Sequence, residues 1–157
     1  EHLRDRSFQI AALAHREEVL VRSCALRMKK RIKGEGGAHA ALLAVQEHML
    51  AAARAYVDHL ALRWFDERVA KVTDERARAW LARLGDLHAL SRIEEEAAWY
   101  LEDGYFEPAK ARAVRKEVEA LMAEIAPAAR SLVDAFQIPD ACLAAPIAFF
   151  DPAHPKF

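Results

Sequence analysis

Apolar residues recur at steps of three and four through four long segments of this 157-residue chain, the spacing that keeps them on one side of an α-helix. In the first, Asp5 stands at an N-cap position, and Leu13, Leu20, Cys24 and Met28 follow at steps of seven, four and four, predicting a helix to about Lys33. Gly34-Glu35-Gly36-Gly37 then ends it. Because this run follows a helix and not a strand, it reads as a C-cap and turn, not as a phosphate-cradling loop.

The second segment, about His39 to Val69, carries two apolar stripes: Leu42, Met49, Ala53, Tyr56 and Leu60 on one side, Leu43, Leu50, Val57 and Trp64 on another. A helix that is apolar on two sides packs against more than one neighbour. Thr73 or Asp74 can cap the third, whose seam reads Trp80, Leu84, Leu87, Ser91, Glu94, Ala98 and Leu101. Asp103-Gly104-Tyr105 turns the chain, Pro108 sits in the first turn of a fourth helix, and Ala111, Val114, Val118, Leu121 and Ile125 form its core face. Pro127 lacks an amide proton and clashes with the preceding turn, so the helix kinks or splits before Leu132, Val133 and Phe136, which read as buried. Pro139 starts one further short turn. These expectations give an all-α fold: an antiparallel bundle of four long helices, a short C-terminal helix, and an irregular proline-rich tail over 146–157, in one domain spanning 1–157.

Composition excludes several functions. With 23 basic and 24 acidic residues the formal net charge is −1, so no global field draws in nucleic acid or an anionic membrane. No apolar run reaches the length of a membrane span. Cys24 and Cys142 lack metal or redox spacing and read as small core hydrophobes. No Glu is followed three residues later by His, as a di-metal bundle site requires, and His48 and His59 are eleven residues apart, roughly 16 Å along a helix and too far to share an ion. No metal site is expected, and no nucleophile elbow or Walker loop is present.

Two features invite a functional reading. Arg27-Met28-Lys29-Lys30-Arg31-Ile32-Lys33 holds five basic residues in seven; cations there complement the helix dipole, and Arg27, Lys30 and Arg31 are also candidates to contact a phosphate of a nucleotide-bearing ligand or an acidic neighbouring domain. Ser91 and Glu94 are polar at seam positions and call for a hydrogen-bonded pair, a salt bridge from Arg92 or a neighbouring helix, or, less economically, a catalytic carboxylate. Trp80, Trp99 and Tyr100 read as packing residues.

Leu3-Arg4-Asp5, Phe8-Gln9 and Arg16-Glu17-Glu18 in the first helix, Gln46-Glu47-His48 and Ala51-Ala52-Ala53-Arg54-Ala55 in the second, Leu90-Ser91-Arg92-Ile93-Glu94 in the third, and above all Ala129-Arg130-Ser131-Leu132-Val133-Asp134-Ala135-Phe136-Gln137-Ile138-Pro139-Asp140 resemble the C-terminal helical domain of acyl-CoA oxidases, over nearly the whole chain. The resemblance implies a parent flavoprotein that binds FAD, desaturates a fatty acyl-CoA between its α and β carbons, and passes the electrons to oxygen to give hydrogen peroxide. It also implies partners: the remaining domains of that oxidase and a second subunit. The Glu-Gly-(Asp/Glu)-Asn-Thr motif that carries the family's base, and its strand-rich flavin domain, do not occur here, so no catalytic residue is expected in this piece and its role reads as architectural. The ending His154-Pro155-Lys156-Phe157 is not a peroxisomal Ser-Lys-Leu signal, and with the Ala/Arg-rich composition it points to a bacterial cytoplasmic protein. The residues alone leave two competitors open: a free-standing helical interaction module, and the ligand-binding half of a helical regulator.

Overall fold

A computed structural model describes residues 2–33, 37–139 and 142. Among them the secondary structure is helical throughout: α1 (Arg6–Arg31), α2 (Gly37–Val69), α3 (Glu75–Glu95), α4 (Ala97–Glu102), α5 (Pro108–Ile125), a 3₁₀ turn (Ala126–Ala128) and α6 (Ala129–Asp134). The chain divides into two compact units, Glu1–Met122 and Ala123–Phe157.

In the first unit α1 and α2 form an antiparallel hairpin. Its seam on α2 is Ala41, Val45, Ala52, Ala55, Leu62 and Val69, buried at heptad-like spacing, and alanines let two helix axes approach closely. This overturns the expected stripes. Leu42, Leu43, Met49, Leu50, Tyr56, Val57 and Trp64 are all exposed, because the face that packs on α1 is the one built from the smallest side chains. An apolarity pattern ranks large residues first and so selected the outer faces.

Asp74 caps α3, its Oδ1 accepting from Ala77 N at 2.7 Å. Helix α3 runs antiparallel to α2 and parallel to α1, and its buried positions are Gly85, Ala89, Leu90 and Ile93, none of them a position of the expected Trp80–Leu101 seam. The expected single third helix also breaks at Glu96 (φ −101°, ψ 18°), where Glu96 N reaches Arg92 O only at 3.4 Å. Neither proline nor glycine sits there. The buried Arg16 guanidinium of α1 pairs with Glu96 Oε1 at 2.8 Å and lies 5.7 Å over the Trp99 ring, a long-range pull that local sequence does not show.

The core gathers Ala12 and Leu13 of α1, Leu62 of α2, Ala89, Leu90 and Ile93 of α3, Tyr100 of α4, Phe106, and Val114, Val118 and Leu121 of α5. Tyr100 is wholly buried, stacks on Phe106 with centroids 4.8 Å apart, and donates its hydroxyl to Ala12 O at 3.0 Å. The expected α5 face is the observed one. Gly104, at φ +74°, makes the turn between α4 and α5.

In the second unit Pro127 splits the helix as expected, producing the 3₁₀ turn before α6. The expectation that the following residues are buried is not met: Val133, Phe136 and Ile138 are exposed, Phe136 by 76%, and Leu132 is only partly covered. Cys142 N donates to Pro139 O at 2.8 Å, while residues 140–141 of the turn expected there lie outside the described residues; Cys142 is exposed and Cys24 only partly buried, so neither is the core residue expected. The proline-rich tail 146–157 lies outside the described residues.

Candidate functional site

Beneath the start of α1 lies a polar cluster tying three helices together. Gln9 is fully buried; its Nε2 donates to Leu3 O and to Asp86 Oδ1, both at 3.0 Å, and its Oε1 accepts from Arg6 Nη1. Arg6 also reaches Asp66 Oδ1 (3.0 Å) through Nε, and Asp86 Oδ1 (3.3 Å) and Ala82 O (3.4 Å) through Nη2. Burial pushes the Asp86 carboxyl above its ordinary range, while the Gln9 hydrogen bond and the Arg6 charge pull it back. The guanidinium fits because residue 85 is glycine: a Cβ there would sit 2.8 Å from Arg6 Nη2 and 3.2 Å from Phe65 Cε1. Every donor in this cluster meets an acceptor within the fold, which makes it a clamp between helices and not a reactive centre. Sequence reasoning missed it. The signal available was Gly85 inside an otherwise strong helix.

Two histidines on α1 and α2 are similarly tied. His15 Nε2 lies 2.6 Å from Asp103 Oδ2 with its ring stacked on Tyr105, and His59 Nδ1 meets Glu17 Oε2. His48 and His59 do not meet, and no group of three potential metal ligands occurs among the described residues. Glu94, expected as a polar seam residue, pairs with Arg115 of α5 at 3.2 Å, and neither Ser91 nor Glu94 occupies the buried seam once the register is corrected. Trp80 and Trp99 are partly buried packing residues and Tyr100 a fully buried one.

Arg27, Lys30 and Arg31 are exposed and line an open groove of about 620 Å³ with Ser23 and Leu26. A second groove, about 390 Å³, runs beside α2 and is lined by Leu50, Val57, Arg54, Asp58, Arg92 and Glu95 among others. Both are open to the surface. On the outer face of α2, Leu43, Leu50, Val57 and Trp64 stand seven residues, just under two turns, apart at 58, 52, 58 and 60% exposure, flanked by Leu42, Met49 and Tyr56.

A protein-family model for acyl-CoA oxidase matches residues 5–151. The chain belongs to the acyl-CoA oxidase family. Over its whole length it is 35% identical to the peroxisomal acyl-coenzyme A oxidase 2 of Arabidopsis thaliana, covering 22% of that protein. It is 33% identical over 103 residues to the peroxisomal acyl-coenzyme A oxidase 2 of Oryctolagus cuniculus, 15% of that protein. The crystal structure of acyl-CoA oxidase 3 from Yarrowia lipolytica has the same fold over 94% of this chain and 21% of that one, with a TM-score of 0.81 at 21% identity. The chain thus spans about a fifth of the length of its oxidase relatives and corresponds to the family's C-terminal helical domain. The bacterial cytoplasmic setting expected from the C-terminal residues and composition finds no support in relatives whose names place them in peroxisomes. No helix among the described residues is long and apolar enough to cross a membrane.

Proposed function

We propose that this chain is the C-terminal structural domain of an FAD-dependent acyl-CoA oxidase, and that the outer face of α2 is where the rest of the enzyme, including its second subunit, packs. The observation that carries this reading is the row Leu43, Leu50, Val57 and Trp64, more than half exposed at every position while the small-residue face of the same helix is buried. An apolar stripe of that length on a folded surface costs solubility unless another body covers it. The chain covers 22% of its Arabidopsis relative, so the oxidase reading also supplies a body large enough to do so. In the parent, FAD would accept the hydride equivalent from the acyl-CoA β-carbon and deliver electrons to oxygen. The residues described here would contribute shape and rigidity: the Arg6–Gln9–Asp86 clamp and the Arg16–Glu96 pair hold α1, α2 and α3 in fixed register behind the docking face.

The purified 157-residue chain tests the structural role. It should be strongly helical by circular dichroism, colourless, and silent with palmitoyl-CoA in a peroxide assay. Bound flavin absorbance, or turnover of the thioester by this chain unaided, would overturn it.

A further inference from the structure

The buried seam of α1 runs Gln9, Leu13, Arg16, Leu20 at steps of four, three and four. The same register continues unbroken to Ser23, Arg27 and Lys30, so the face that packs the hairpin further down becomes cationic at its tip. Residues 22–33 hold six cations and no acid, and the stretch 38–46 of α2 has none either; the nearest acids in sequence are Glu47 and Glu35, the latter outside the described residues. Arg27 Nε reaches Ser23 Oγ at 3.4 Å, and no ion pair within the described residues engages Arg27, Lys30 or Arg31. The helix dipole accounts for cations in the last turn, Lys29, Lys30 and Arg31, but its effect fades within that turn and does not reach Arg27 or Ser23. The groove these residues line, about 620 Å³, exceeds what a single phosphate needs and has Leu26, 63% exposed, as an apolar wall. On its other side Arg27 lines a further groove of about 570 Å³ with Gln46, Glu47 and His48 of α2, so Glu47 is the acid nearest the site on that helix.

We infer that the α1 end of this hairpin binds a phosphorylated small molecule, held by its diphosphate between Arg27, Lys30 and Arg31, with the Ser23 hydroxyl as a neutral donor and Leu26 against the organic part. Guanidinium and ammonium groups one helical turn apart on one face match successive phosphates, and charge-assisted bonds to phosphate are the strong ones. This does not depend on the oxidase reading, since it uses only residues of this chain.

Calorimetric titration of the 157-residue chain with inorganic pyrophosphate, at ionic strength held constant with chloride, tests it. Saturable one-to-one binding is expected, weakened about tenfold or more in Arg27→Gln/Lys30→Gln and by a smaller factor in Arg31→Gln, with thermal midpoints unchanged because the three side chains are exposed. The control Arg112→Gln/Lys116→Gln, which removes the same charge from the exposed side of α5, should bind as the parent chain does. Absence of saturable heat would overturn the site, and so would binding indifferent to Arg27 and Lys30 or weakened equally by the α5 control. Phosphatidylcholine vesicles doped with a phosphatidylinositol phosphate separate the sources: displacement of pyrophosphate assigns the group to a lipid headgroup, and undisturbed binding assigns it to a free organic phosphate.

Discussion

Replacing Gly85 by alanine sets two effects of similar size against each other, and the structure decides the sign. On helix propensity alone Gly→Ala inside α3 should stabilise by about 1 kcal/mol. Against this, the new methyl carbon would lie 2.8 Å from Arg6 Nη2, 3.3 Å from Arg6 Nη1 and 3.2 Å from Phe65 Cε1. A free arginine tip would swing away cheaply, but Arg6 is fastened to Asp66, Gln9, Asp86 and the Ala82 carbonyl. Displacing it weakens two or more charge-assisted bonds, each worth about 1.5–3 kcal/mol in general and less here because the Asp66 side chain is partly solvated. Gly85→Ala should therefore destabilise by about 1–2 kcal/mol net, a fall of about 2–8 °C in thermal midpoint for a domain of this size. Urea and thermal unfolding followed by circular dichroism measure it. In an Arg6→Ala background the same substitution should lose its penalty and become neutral or stabilising, so the double-mutant cycle isolates the clamp. A stabilised single Gly85→Ala variant would refute the claim that Arg6 holds its place.

Leu62→Ala, at a fully buried core position, should cost about 2–5 kcal/mol, whereas Phe136→Ala should stay within about 0.5 kcal/mol; equal losses by urea unfolding would show that Phe136 is covered in the isolated chain. Burial pushes the Tyr100 and Tyr105 phenols above their ordinary value near 10. The unfolded chain therefore releases those protons first, and stability should decline as pH rises past about 10, a decline that Tyr100→Phe lessens; a urea midpoint flat from pH 8 to 11 would contradict the burial.

Much of this architecture could be read from residue order. The Asp74 cap, the turn at Gly104, the α5 face from Val114 to Ile125 and the split at Pro127 are local events, each fixed by one or two residues whose backbone or hydrogen-bonding preferences do not depend on distant partners. What escaped depended on partners far away in sequence. The break at Glu96 goes with Arg16, eighty residues earlier, and the observed α3 seam has Gly85, Ala89 and Ile93 facing the helices that carry Arg6 and Ala12. On α2 the largest apolar side chains drew attention to the outside of the helix, and that error carries information. The expectation that α2 packs on more than one neighbour holds within this chain, through α1 and α3, and the bulky outer residues are what the proposed docking of the parent's other domains rests on. The basic run holding Arg27, Lys30 and Arg31 was visible as a local sequence cluster, but only the hairpin shows that Arg27 and Lys30 prolong the packing seam of α1.

The most direct test of the account puts Val57→Glu and Trp64→Glu into the full-length oxidase and follows sedimentation, flavin content and peroxide production, beside the same pair in the 157-residue chain. Burying two carboxylates in a packed apolar interface is prohibitive, whereas on an exposed helix face it is nearly free. The account predicts that the isolated chain keeps its thermal midpoint while the full-length enzyme loses assembly, and flavin and activity with it. An intact, active, flavin-replete oxidase carrying both glutamates would contradict it.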